Sequence, residues 1–134
     1  MEELIKEMIN KGNTFAVVGA TNNDEKYGHK VFKAILESKR MVFPINLKTP
    51  EILGEDCYAS VLDVPVIVNV VVFVVPPDQT LKVLKEVAQD STIENVWLQE
   101  GSENQEAIDF CAEKKINCVY GGPCIMTELN KSAG

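Results

Sequence analysis

Four short segments carry the groups that could do chemistry. The first is Gly19-Ala20-Thr21, a small turn that ends an apolar run and leads toward a helix. Free backbone N–H groups at such a helix start can hold a phosphate or another anion. The second is Asn46-Leu47-Lys48, which offers an amide and a cation two residues apart. The third is Val75-Pro76-Pro77, where two prolines stiffen the chain and withdraw N–H donors, making a wall for a flat ring. The fourth is Gln99-Glu100-Gly101, with hydrogen-bonding side chains beside a glycine that permits close approach. Each segment also has a plain reading as a strand end, a turn or a solvated surface.

Nucleophilic and metal chemistry have less support. The single histidine, His29, would have to serve any Cys/His pair. Cys57, Cys111, Cys118 and Cys124 form no C-x-x-C pair, so neither a zinc knuckle nor a thioredoxin-like site is indicated. No catalytic residue and no metal ligand is assigned. Without an export signal the thiols are expected to be reduced, in a cytoplasmic protein.

The elements that must position these segments follow from the hydrophobic pattern. Met1, Leu4, Ile5, Met8 and Ile9 recur at helical spacing, with Gly12 as a stop, so residues 1–12 are expected to hold a helix. Thr14–Gly19 reads as a buried strand. Tyr27, Val31, Phe32, Ile35 and Leu36 form a second helical stripe, ending near Lys39-Arg40, whose charges suit a helix C-terminus. Met41–Asn46 is a second strand, and residues 47–65 are expected to be irregular. Val66–Val75 contains a central strand. Asp78 is expected to cap the helix that carries Leu81, Leu84, Val87 and Ala88. Val96–Gln99 is a further strand. Ser102-Glu103-Asn104-Gln105 has the form of a capping box before a helix with Ala107, Ile108 and Cys111 on one face. Asn117–Tyr120 is a last strand, followed by a Gly121-Gly122-Pro123 turn.

This alternation predicts an α/β fold: one Rossmann-like, doubly wound domain over residues 1–134, with a mainly parallel five-stranded sheet. Ligands in such folds lie beyond the C-terminal strand ends, which is where all four segments fall. The dinucleotide fingerprint G-x-G-x-x-G is not met, because Thr21 and Asp24 occupy its second and third glycine positions. Where an NAD enzyme would carry Asp or Glu, this chain has Asn46 and Lys48. A lysine there suits an extra ribose phosphate, at the 2′ position in NADP or the 3′ position in coenzyme A.

The ordered set of segments resembles the stand-alone CoA-binding proteins, similar to the N-terminal domain of the succinyl-CoA synthetase α subunit. The matching stretches span residues 14–128: Ala16 to Thr21, Val42 to Lys48 with Ile52-Leu53-Gly54, Val74 to Pro77, Val96 to Gly101, Glu106-Ala107, and Cys124 to Glu128. The resemblance implies coenzyme A, or an acyl-CoA, as ligand. It implies that Gly19, Ala20 and Thr21 approach the CoA phosphates, with Lys26 and Gly28 in a Lys-x-Gly stretch before the second helix. Pro44 and Asn46 would lie beside the nucleotide, and Lys48 would meet a phosphate of its ADP part. Val75 and Pro76 would flank adenine and pyrophosphate, and Gln99 and Gly101 would border the pantetheine arm. Where the family often has Asp-Arg before its last cysteine, this chain has Gly122-Pro123, so no basic group is expected there. Cys124 is expected to be a small buried residue or a thiol near that of CoA.

The synthetases use a second domain with a phosphorylated histidine, for which this sequence has no counterpart. A binding module is therefore expected rather than an autonomous enzyme. The alternatives are an NADP-dependent enzyme, with Lys48 on the 2′-phosphate, and an accessory subunit that supplies the CoA site to a ligase. Partners are a small molecule and no membrane, since the run Val64–Pro77 is broken by Asn69 and is too short for a span. Oligomeric state is open.

The chain has 134 residues, 13 Lys+Arg and 20 Asp+Glu, for a net charge of −7. This acidity argues against nucleic acid as a partner. Residues 1–50 nevertheless carry 8 basic and 6 acidic groups, while residues 51–134 carry 5 and 14. An anionic ligand is better received by the first part.

Overall fold

The structure is a computed structural model that describes residues 1–89 and 92–133. Five strands form one parallel sheet: β1 Thr14–Val18, β2 Met41–Ile45, β5 Val70–Phe73, β6 Asn95–Leu98 and β7 Asn117–Val119. Their order is β2-β1-β5-β6-β7, with every neighbouring pair parallel. The chain steps to one side from β1 to β2, then crosses over β1 and continues to the other side. Strand order thus reverses between β1 and β5, which opens a crevice above their C-terminal ends.

Alternation along the strands builds two cores. Phe15, Val17, Val70, Val72 and Trp97 face one side of the sheet, against helices α1 Glu2–Met8, α2 Tyr27–Glu37 and α5 Ile125–Ala133. Ala16, Val18, Val71, Phe73, Val96 and Leu98 face the other, against α3 Pro77–Val87 and α4 Gln105–Lys114. Both faces of each central strand are buried, which is why these strands read as unbroken apolar runs. The Met1–Ile9 stripe packs on the first core through Ile5, Met8 and Ile9, and leaves Met1 exposed. Among the described residues no helix is long and apolar enough to cross a membrane.

Several local expectations are corrected. Asp78 does not cap α3: the helix begins at Pro77, with Pro76 as its N-cap and no side-chain cap. Proline at the first helical position has no N–H to satisfy and a backbone angle already suited to a helix. The 102–105 segment is not a capping box, since Asn104 is the cap and its side chain accepts from Ala107 N–H at 2.7 Å. Residues 47–65 are more ordered than expected. They contain the hairpin β3 Glu51–Ile52 and β4 Glu55–Asp56, turned by Leu53 and Gly54, both at positive φ (51° and 80°), and a short 3-10 turn at Val61–Asp63. Helix α2 ends at Glu37 with Ser38 as its C-cap and no basic residue in its last turn, so Arg40 lies beyond the C-terminus it was expected to suit. It is buried and donates from Nε to Ile9 O at 2.8 Å and toward Ser132 Oγ at 3.5 Å, joining α1 to α5. Helix α5 itself was not expected.

One backbone approach governs the crevice. Gly19 has φ of 102°, and a Cβ there would lie 2.1 Å from Val74 O. A Cβ on Gly28 would lie 1.9 Å from Gly19 O. The end of β1, the end of β5 and the first turn of α2 therefore meet backbone to backbone. Gly28 supplies the tight helix–strand packing that the third glycine of a dinucleotide fingerprint usually provides.

Gly28→Ala is expected to lower the unfolding free energy by about 2–3 kcal/mol, as overpacking in a closed site does. Urea denaturation measures it. A loss under about 0.5 kcal/mol, the range of ordinary surface changes, would show that the approach has slack.

Candidate functional site

Two adjoining cavities occupy the crevice. The first, of about 370 Å³, is walled by Val18, Ile45, Leu47, Val61, Val75 and Val83, with Ser60, Gln79 and Glu86 as polar groups. The second, of about 620 Å³, is lined by Gly19, Ala20, Thr21, Lys26, Tyr27, Gly28 and Pro76 among others. Gly19, Asn46, Lys48, Val75 and Gln79 border both. Their sizes are those of small-ligand sites. One end is apolar with a single carboxylate. The other is polar, with two lysines and the start of a helix.

The loops that shape the polar end are tied together. Asn46 Nδ2 donates to Ala20 O at 2.8 Å, and its Oδ1 accepts from Lys48 N–H at 2.7 Å. Asn22 Nδ2 donates to Thr49 Oγ1 and Glu51 O, each at 3.1 Å, so the first loop leans on the hairpin. His29 is buried, and its Nδ1 donates to Thr21 O at 2.8 Å. The histidine thus holds the loop in shape from beneath. Helix α2 begins at Lys26 without a side-chain cap. Of its first-turn N–H groups, that of His29 donates to Lys26 O at 3.2 Å, while those of Tyr27 and Gly28 stay available at the cavity these two residues line. Among the described residues no group of His, Cys, Asp and Glu could hold a metal ion.

The wall at Val75-Pro76-Pro77 is held from behind. Val75 N–H donates to Ser102 Oγ at 3.0 Å, and the buried Thr80 hydroxyl donates to Ser102 O at 2.7 Å. Asn104 Nδ2 donates to Pro77 O. Ser102 and Asn104 therefore set the wall rather than forming a capping box.

The structure brings Gly19, Ala20, Thr21, Lys26, Asn46, Lys48, Val75 and Pro76 to the cavities, and it places three other expected residues elsewhere. Pro44 is buried in β2, where its carbonyl accepts from Tyr58 N–H at 3.0 Å. Gly101 is exposed on the loop after β6 and donates its N–H to Glu103. Gln99 is buried, with both ends of its amide engaged: Oε1 accepts from Ile125 N–H at 2.9 Å and Nε2 donates to Cys124 Sγ at 3.4 Å. Tyr27, Ser60, Gln79, Val83 and Glu86 were not expected at a site. Gln79, Val83 and Glu86 recur at helical spacing on α3, so their shared face was available in the sequence as a signal.

Cys124 lies half-buried just before α5, near Tyr27. Burial pushes its thiol up. The Gln99 amide, the Thr127 and Met126 N–H groups and the Tyr27 hydroxyl outweigh that and hold it below the usual cysteine range. In turn the Cys124 sulfur pushes the Tyr27 phenol up. Cys57, by contrast, is raised by burial and by Asp56 and Glu51.

The match to known proteins is extensive. Residues 13–130 match the family described as "CoA binding domain". Over 71 residues, 53% of this chain, the sequence is 39% identical to an ADP-forming acetate–CoA ligase of Methanocaldococcus jannaschii. The chain spans only 10% of that ligase's length. A solved structure of a conserved hypothetical protein from Pyrococcus furiosus is 38% identical. It superposes with a TM-score of 0.82 over 87% of this chain and 98% of its own. A hypothetical protein from Pyrococcus horikoshii OT3 is 32% identical, with a TM-score of 0.91 over 100% of this chain and 93% of its own.

Iodoacetamide is expected to alkylate Cys124 ahead of Cys57, with a rate that half-saturates below the ordinary thiol pKa of about 8.5. Gln99→Leu should shift that midpoint upward. Peptide mass spectrometry across pH reads both, and an unshifted profile would show that the amide does not stabilise the thiolate.

Proposed function

The chain belongs to the CoA-binding domain family, and on that premise we propose that it binds coenzyme A or an acyl-CoA along the two joined cavities. The observation that carries the reading is their division into an apolar chamber and a polar cradle. They meet at Gly19 and Val75, past the ends of β1 and β5 where the sheet reverses its strand order, with Lys48 on the shared rim. A nucleotide joined to a long polar arm needs this combination: a flat apolar slot for the base and N–H donors with cations for phosphates.

In this reading the adenine enters the chamber against Val61, Val75 and Val83. The pyrophosphate crosses at Gly19, near the α2 N-terminus and Lys26, and Lys48 meets the ribose phosphate. The pantetheine arm runs past Tyr27 toward Cys124. Asn46 acts as a positioning residue, since its amide already fixes Ala20 and Lys48. The ionisable groups at the cavities, Lys26, Lys48, Tyr27 and Glu86, suit charge and base recognition, so the proposal is a binding module without chemistry of its own. The matched protein is an acetate–CoA ligase, so an acyl-CoA is a ligand class that this cleft would also hold.

Calorimetry with CoA, dephospho-CoA, NADP and NAD tests the reading. CoA is expected to bind in the micromolar range or tighter, ahead of the other three, a free energy of about −8 kcal/mol or better. Lys48→Ala should weaken CoA by about 1–3 kcal/mol, the scale of a charged hydrogen bond, and narrow its lead over dephospho-CoA. Preference for NADP over CoA would overturn the proposal.

A further inference from the structure

The apolar chamber contains one ionisable group that phosphate binding does not explain. Glu86 projects from the last turns of α3 into the cavity lined by Val18, Ile45, Val61 and Val83. A half-buried carboxylate here would repel the phosphates of any nucleotide, so it marks the part of the cleft from which phosphates are excluded. It is also held in place. Ser60 Oγ accepts from Leu62 N–H at 3.1 Å, which leaves the serine's single proton to donate to Glu86 Oε1. The carboxylate is thus fixed as an acceptor. Among the described residues none donates to its second oxygen, Oε2.

One open acceptor in the wall of an apolar cavity calls for one donor on the edge of a flat ring. We propose that Glu86 is the base-reading residue of this site and that it selects a purine bearing a 6-amino group over one bearing a 6-oxo group. On its C6–N7 edge an adenine presents N6–H₂ there, whereas hypoxanthine and guanine present only O6 and N7, acceptors that a carboxylate repels. Ser60 is a positioning residue: its hydroxyl holds one carboxylate oxygen and so turns the other toward the ring. The proposal rests on the reading of the cleft as a CoA site and names what that site would recognise in the base.

The test compares CoA with a CoA analogue whose adenine is replaced by hypoxanthine, by calorimetry on the wild-type chain and on Glu86→Gln. The wild type is expected to prefer CoA by ten- to a hundredfold. In Glu86→Gln that ratio should fall to within about threefold of unity, because an amide can turn its NH₂ toward O6 as readily as its oxygen toward N6–H₂. Each ratio is taken within one protein, so a folding defect in the variant cancels. Equal affinity of the wild type for both compounds would overturn the inference while leaving the CoA reading intact. So would a preference that persists undiminished in Glu86→Gln. Failure of the wild type to bind CoA at all would overturn both.

Discussion

The architecture of the cleft depends on three pieces of backbone that touch where side chains would normally intervene. Gly19 approaches Val74 O, and Gly28 approaches Gly19 O, so β1, β5 and α2 converge without any Cβ between them. This contact sets how close the α2 N-terminus can come to the strand ends. It also sets the width of the crevice at the point where strand order reverses. A methyl group at either glycine would push the elements apart and remove the shared rim that joins the two cavities.

Around that contact the loops are fixed mainly by hydrogen bonds rather than by apolar packing. Asn46, Asn22 and His29 hold the β1 loop, while Ser102, Thr80 and Asn104 hold the Val75-Pro76 wall. Such ties shape the site before a ligand arrives, which reduces the ordering cost of binding. Among the described residues every buried side-chain nitrogen and oxygen has a partner, so the network is complete and not strained by unmet groups. The charge distribution supports the same division of labour: the lysines at the cleft lie in the less acidic part of the sequence.

Much of this was legible in the residues. Apolar runs such as Phe15–Val18 and Val70–Phe73 announce buried parallel strands, and their alternation with helical stripes predicts the observed α/β sheet. The polar and small residues after β1, β2 and β5 pointed to the cleft. Other features were hidden for physical reasons. Gln99 carries a hydrogen-bonding side chain next to a strand end, yet the N–H of Ile125 at the start of α5 turns it inward. The β3–β4 hairpin has strands of two residues, too short for a period to register, and places Leu53 in a conformation that favours glycine or asparagine. Arg40 reads as a charge for the end of α2 because nothing local reveals that Ile9 and Ser132 converge on it. The face of α3 that carries Gln79, Val83 and Glu86 is mixed in polarity, so it resembles an ordinary solvated helix face until the fold lays it against Ser60.

The fully buried Trp97 donates its Nε1–H to Pro123 O at 3.1 Å and is the chain's single tryptophan. It sits beneath the loop that delivers α5, on the opposite face of the sheet from α3. Its ultraviolet emission is therefore a built-in optical reporter of whether the C-terminal helix is docked. Excited at the indole band, the chain would glow blue-shifted while that dock holds and shift to the red as water reaches the ring.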